Sequence, residues 1–81
     1  MFKIFNKGKI AVIKIHGTIG STVKYEQIYP LIIKAEKNKS VKAVIIDINS
    51  PGGGVTDSDL IYSSLVSLNK LKPVIAYIQG L

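Results

Sequence analysis

The 81-residue chain contains no cysteine, no arginine and no tryptophan. Without cysteine it forms no disulfide and no thiolate metal site, and it has no cysteine nucleophile. Its formal net charge of +6 at pH 7 comes from eleven lysines. Specific nucleic-acid binders use arginine for bidentate contacts with bases, so the sequence argues against a specific nucleic-acid partner. Scattered lysines fit a solvated surface, and those at residues 3–9 would attract anionic lipid weakly.

Long hydrophobic runs are also missing. No apolar stretch approaches the roughly 18 residues that span a bilayer. Residues 1–9 carry too few large apolar side chains for the hydrophobic region of a signal peptide. Hydrophobic residues still make up 47% of the chain, which favours a folded segment over disorder. We therefore expect one small domain, or part of one, with a marginal core.

Apolar, β-branched segments alternate with segments of helical periodicity. The pattern predicts strands at residues 10–15, 41–49 and 73–79, and helices at residues 22–38 and 56–70. Pro30 leaves two alternatives, since the first helix either begins near it or is longer and kinked there. Strands separated by helices imply an α/β fold with a parallel sheet and right-handed crossovers. Two helices cannot fully cover both faces of such a sheet.

The strongest turn signal is Ser50-Pro51-Gly52-Gly53-Gly54, between the second strand and the second helix. Its glycines permit close backbone approaches, and Pro51 removes one N–H group. We predict that Thr56 caps the following helix, with Asp59 completing a capping box. Such a loop would offer N–H groups to an anion, a phosphate or a developing oxyanion. It lacks the P-loop ending and the dinucleotide-fingerprint spacing, and a tight turn without a ligand is the other alternative.

Three side chains outside the glycines are candidates for chemistry, and we favour a structural role for each. His16, the single histidine, follows the first strand with no acidic neighbour nearby in sequence. Asp47 is the only acidic residue in the second strand, where alternation would place it at a sheet surface or a subunit contact. Ser50 lacks both the Gly-x-Ser-x-Gly elbow and an identifiable base.

The segment Asn49–Thr56 resembles the oxyanion-loop motif of the ClpP/crotonase superfamily. Together with Lys9–Ile19, Ser40–Ile46 and Lys72–Ile78, it is most similar to the signal peptide peptidase A family of serine peptidases, family S49. The resemblance covers nearly the whole chain from about Lys9 onward. It implies a partial ClpP/crotonase-like fold, β-α-β-α-β with a parallel sheet. Residues 1–81 would then form the N-terminal portion of a single peptidase domain.

The resemblance also implies an activity. The complete protein would be a serine-type endopeptidase that hydrolyses signal or hydrophobic peptides. It would be a membrane-associated homo-oligomer without cofactor or metal, although this chain shows no transmembrane or signal segment. In the family, the serine nucleophile lies shortly after the third strand, and the lysine that acts as its base lies much further along the chain. Both positions fall beyond Leu81, so we expect the 81 residues alone to be inactive.

For the residues present, the resemblance assigns backbone roles. Gly53 is expected to donate its N–H to the oxyanion, with Gly52 as the second choice. Gly53, Gly54 and Val55 are expected to pair with an extended substrate by strand addition. We expect a valine at Gly53 to lower turnover while leaving folding intact.

Two other classes of function use the same loop geometry. One is a non-catalytic, oligomeric ClpP/crotonase-like module. The other is a crotonase-type acyl-CoA site, in which the loop holds a thioester carbonyl. The peptidase is preferred because the Ser50–Gly53 motif and Lys72-Pro73 occur together in the expected order.

Overall fold

A computed structural model describes residues 2–79 of the chain. Its elements are β1 (Phe2–Phe5), β2 (Ile10–His16), α1 (Tyr25–Lys37), β3 (Ala43–Asn49), α2 (Val55–Asn69) and β4 (Val74–Ile78). The strands form one sheet in the order β1-β2-β3-β4. Strands β2, β3 and β4 are parallel and are connected through the two helices. The predicted parallel β-α-β-α-β unit is confirmed, with bounds that differ by a few residues.

Strand β1 was not predicted. It pairs antiparallel with β2 in the register Phe2↔Ile13, which brings Phe2 against the core. The connecting turn places Asn6, Lys7 and Gly8 at φ values of 55°, 58° and 85°. Asparagine and glycine enter this left-handed region more readily than other residues. The Asn-Lys-Gly sequence directly after Phe2-Lys3-Ile4-Phe5 was therefore a hairpin signal.

The core lies on one face of the sheet. Inward side chains of β2 and β3 pack against apolar side chains of both helices. The buried hydrophobic residues are Ala11, Ile13, Ile15, Val23, Ile28, Ile32, Ala35, Val41, Val44, Ile46, Ile61 and Leu68. Both helices cover the same face because two right-handed crossovers advance in the same direction along the sheet. The other face is partly open: Ile75 and Tyr77 of β4 are each 59% exposed. This agrees with the expected incomplete cover.

Helix α1 runs without interruption from Tyr25 to Lys37 with Pro30 inside it. Of the two alternatives for the first helix, the longer helix that continues through Pro30 is the observed one. It begins three residues later than predicted. Pro30 leaves the carbonyl of Glu26 without its usual partner four residues on. Both residues are exposed, so water can satisfy that carbonyl. No helix within residues 2–79 is long and apolar enough to cross a bilayer.

Side chains from distant parts of the chain hold both ends of α1. At its start, the N–H of Tyr25 donates to Oδ2 of Asp57 at 2.9 Å. At its end, Nζ of Lys72 donates to the carbonyl oxygens of Ala35 and Asn38, each at 2.7 Å. These contacts satisfy backbone groups that a helix terminus leaves unpaired. They also tie α1 to the first turn of α2 and to the start of β4.

The predicted capping box at Thr56 and Asp59 is wrong. Helix α2 begins at Val55, and its N-cap is Gly54. Gly54 has the extended φ and ψ of an N-cap, −63° and 136°, and its carbonyl accepts the first intrahelical bond from Ser58 at 3.0 Å. Thr56 therefore lies inside the first turn, where its hydroxyl cannot act as the cap.

Candidate active site

The glycine-rich loop leaves the carboxyl end of β3 and is held along one edge by Ile19. The N–H of Ile19 donates to the carbonyl of Gly52 at 2.9 Å, and the N–H of Gly54 donates to the carbonyl of Ile19 at 2.8 Å. This is a short parallel bridge between Ile19 and Gly53. In an extended segment, the N–H and carbonyl of the middle residue point away from the partner. Gly53 thus presents both groups to the opposite side.

The N–H of Gly53 is the donor that the loop leaves available. Gly53 is exposed, and its N–H has no hydrogen-bond partner among residues 2–79. The N–H of Gly52 donates instead to Oγ of Ser50 at 3.1 Å. The adjoining N-terminus of α2 adds positive potential at this edge of the sheet. Of the two predicted donors, Gly53 has the geometry to receive an oxyanion.

The absence of a side chain at Gly53 is required by packing. A Cβ at this position would collide with the carbonyl oxygen of Ile19 and would lie 2.6 Å and 2.7 Å from its C and N atoms. These are backbone atoms inside the bridge and cannot move aside without breaking it. A valine at Gly53 would therefore displace the loop locally, which is a physical reason for the predicted loss of turnover. That folding stays intact remains a prediction.

Gly54 and Val55 differ from Gly53 in what they offer a substrate. The N–H and the carbonyl of Gly54 are both already bonded within the fold, to Ile19 and Ser58. Val55 begins α2, and its side chain is 75% exposed. Strand addition to this loop can thus use Gly53 on its open edge, whereas the N–H of Gly54 is already used in the hydrogen bond to Ile19.

Ser50 is buried at the start of the glycine-rich loop and stabilises the loop through hydrogen bonds. It is 4% exposed, its hydroxyl donates to the carbonyl of Gly52, and it accepts the N–H of the same residue. Its Oγ is therefore engaged on both sides. This arrangement agrees with the structural role predicted for Ser50.

We expect Ser50→Ala to weaken the loop without removing a nucleophile. The change leaves the Gly52 N–H without its buried acceptor, which costs about 1–3 kcal/mol. In the complete protein, covalent labelling by a serine-directed phosphonate should persist at reduced turnover. Ser50→Thr, which keeps the hydroxyl, is the matched control. Complete loss of labelling in a folded Ser50→Ala protein, with labelling retained in Ser50→Thr, would show that Ser50 is the nucleophile.

An apolar cleft of about 170 Å³ lies beside the loop, between α2 and the carboxyl ends of β2 and β3. Its walls include Ile19, Ile48, Ile61 and Leu65, and Ser58 is one polar group in its lining. Ile19 both pairs with the glycine loop and lines this cleft, so the cleft adjoins the loop. A chain held at Gly53 would have an apolar pocket within reach.

The fold gives His16 an acidic neighbour that the sequence did not suggest. Asp47 lies 31 residues later, and its Oδ2 is 3.3 Å from Nε2 of His16. The imidazole nitrogen is buried but lacks a hydrogen-bond partner within residues 2–79. Oδ1 of Asp47 accepts a hydrogen bond from the Gln79 side chain at 2.7 Å. Since Oγ of Ser50 is engaged by Gly52, these groups do not form a Ser-His-Asp triad.

Comparison with known proteins agrees with this geometry. A family model described as Clp protease matches residues 2–80. The chain belongs to the Clp protease family. Its relatives within the Clp protease family include members of the S49 group of serine peptidases, as the loop motif indicated. No group of three or more potential metal ligands occurs in the described part of the chain.

Three relatives illustrate the similarity. The chain is 36% identical over 80 residues to "Serine protease SPPA, chloroplastic" of Arabidopsis thaliana, which covers 86% of this chain and 12% of that protein. It is 40% identical over 74 residues to "Protease 4" of Haemophilus influenzae, covering 83% and 12%. It is 36% identical over 75 residues to a putative protease of Synechocystis, covering 93% and 26%. The chain thus spans about an eighth to a quarter of these relatives' lengths.

Ile19, Asp57 and Gln79 have contacts at this end of the sheet that sequence reasoning missed. Ile19 holds the loop through its backbone, so its side-chain type carried no signal. The carboxylate of Asp57, in the first turn of α2, accepts the hydrogen bond from the N–H of Tyr25 at the start of α1. Gln79 was treated as the end of a strand. No local sequence pattern strongly indicated these contacts, because each one joins segments that are more than 30 residues apart.

Proposed function

We propose that this segment supplies the oxyanion-binding half of a serine endopeptidase site, and that the complete protein hydrolyses signal or hydrophobic peptides. The single observation that carries the proposal is the exposed, unbonded N–H of Gly53, held rigidly between Ile19 and the N-terminus of α2. Residues 1–81 would be the N-terminal portion of one peptidase domain. A serine soon after β4 would be the nucleophile, and a lysine further along would be its base.

The chemistry follows from where charge develops. When the serine attacks the scissile carbonyl, the carbonyl oxygen gains negative charge, and the Gly53 N–H can donate to it at hydrogen-bond distance. The donor is fixed in advance by the Ile19 bridge, so little reorganisation is needed as the charge forms. Removing one such donor in other peptidases costs about 2.7–4 kcal/mol of transition-state stabilisation.

The substrate preference rests on the apolar cleft beside the loop. On this proposal, a peptide paired along the open edge of Gly53 places one side chain in the adjoining cleft, which is lined by Ile19 and Ile61. Burial of an apolar side chain there is favourable, whereas a charged one would lose solvation without a partner. The family relationship adds two further elements to the proposal, a homo-oligomeric assembly and association with a membrane.

The test uses the complete protein carrying this segment and a series of peptides that differ only at the residue before the cleaved bond. We expect cleavage with leucine or alanine at that position, and a kcat/KM at least about 100-fold lower with aspartate, because the cleft offers no charged partner. A thioester substrate serves as the comparison. Thioester turnover without peptide cleavage would indicate the acyl-CoA site, and binding without any turnover would indicate a non-catalytic module.

A further inference from the structure

Asp47 links the carboxyl ends of three adjacent parallel strands. It lies on β3, and its side chain is 17% exposed. One carboxylate oxygen accepts the hydrogen bond from Nε2 of Gln79, just beyond β4, at 2.7 Å. The other faces Nε2 of His16, the last residue of β2, at 3.3 Å. This carboxylate thus hydrogen-bonds to the residue that follows one neighbouring strand and lies close to the last side chain of the other.

The Gln79 side of this contact fixes the exit of β4. Besides its side-chain bond, Gln79 donates its backbone N–H to the carbonyl of Ile48 at 2.9 Å. Two anchors on one residue hold the direction in which the chain leaves the sheet. Hydrogen bonds to a charged acceptor are shorter and stronger than neutral ones, so the carboxylate gives this anchor more strength than an amide would.

On the other side of Asp47, the chain after His16 forms the turn that supports the glycine-rich loop. The next residue, Gly17, donates its N–H to the carbonyl of Asn49 at 3.0 Å, and the turn that follows carries Ile19. Ile19 in turn holds the glycine loop in place. Asp47 therefore lies between the base of the turn that supports the Gly53 donor and the exit of β4.

We propose that Asp47 is a positioning residue that sets the distance between the Gly53 N–H and the nucleophile delivered after β4. This inference rests on the proposed function, because it assumes that a reacting serine follows that exit. Misplacement of reacting groups by about 1 Å can cost about 100-fold in rate. Loss of the Asp47–Gln79 bond leaves the backbone N–H of Gln79 on Ile48 as the remaining anchor of this residue. We expect the exit of β4 to shift by that order, while the apolar cleft and the open edge of Gly53 stay unchanged.

The experiment compares kcat and KM of the complete protein with those of Asp47→Ala, Gln79→Ala and the double variant. We expect each single change to lower kcat at least about tenfold with KM unchanged, because substrate pairing does not involve either side chain. The double variant should lose no more than the worse single variant, since both break the same bond. Asp47→Asn should recover part of the rate, because its amide oxygen can still accept the Gln79 hydrogen bond.

Lys14→Ala is the matched control, because Lys14 is the register partner of Asp47 on β2 and should leave kcat within about twofold. Circular dichroism confirms that each variant is folded. If Asp47→Ala fails to fold, Gln79→Ala and Asp47→Asn decide the question. An active parent whose kcat is insensitive to these changes, or whose losses multiply in the double variant, overturns the positioning role alone. A parent inactive on every peptide overturns the proposed function and the positioning role with it.

Discussion

Gly53→Ala is expected to lower the kcat of the complete peptidase by at least about 100-fold, the loss typical for one oxyanion donor. The added Cβ would lie 2.6 Å from the carbonyl carbon of Ile19 and would also collide with its oxygen. The bridge between Ile19 and the loop must then open, and the Gly53 N–H moves away from the reacting carbonyl. Steady-state kinetics on a soluble, folded variant measure the effect.

Gly54→Ala is the matched control for this prediction. It adds the same methyl group to the neighbouring residue, where the nearest heavy atoms would lie at 3.8 Å and 3.9 Å, which is ordinary contact. The backbone there has a φ of −63°, which alanine adopts freely. We expect a loss under about tenfold, since the N–H and carbonyl of Gly54 bond within the fold. Equal losses in the two variants would remove the special role of Gly53.

Lys72→Met is expected to lower the free energy of unfolding by about 1.5–3 kcal/mol, the range for a hydrogen bond to a charged group. Its ammonium group donates to two carbonyls at the end of α1, each at 2.7 Å. Desolvation lowers the pKa of Lys72, with repulsion from Lys42 acting in the same direction and Glu36 opposing it. The group is thus partly withdrawn from water, and methionine retains its apolar length while removing the donors. Urea denaturation at neutral pH measures the change.

The control for Lys72→Met is Lys39→Met. Lys39 is exposed and lies just past the end of α1, so the variant removes the same charge from the same region. We expect a change within about 0.5 kcal/mol. If both variants lose the same stability, general charge at the helix terminus would account for the effect. The Lys72 hydrogen bonds would then contribute little.

Local signals made most of the framework predictable. Alternating apolar and helical segments identify the parallel β-α-β-α-β unit, and the triple glycine after β3 locates the loop. Ser50 was assigned a structural role from its flanking residues, which its burial and its two bonds to Gly52 support. Such features depend on residues close together in sequence, where turn chemistry and periodicity act directly.

The features that sequence reasoning missed depend on register or on competition between similar signals. The Asp47 contacts with His16 and Gln79 require the exact alignment of three strands, which no local pattern encodes. The start of α2 was misplaced because Thr56 looks like a cap, although Gly54, two residues earlier, already has the extended geometry of an N-cap. Strand β1 was overlooked because its short apolar run was weighed only as a targeting signal.

The central claim is that the Gly53 N–H receives the oxyanion, and a crystal structure of the complete protein bound to a peptidyl aldehyde tests it most directly. The aldehyde forms a tetrahedral adduct with the serine nucleophile, and its oxygen takes the place of the oxyanion. We predict that this oxygen lies about 2.7–3.1 Å from the Gly53 nitrogen, with the Ile19 bridge intact. An adduct oxygen bonded elsewhere, with Gly53 still unpaired, would contradict the account.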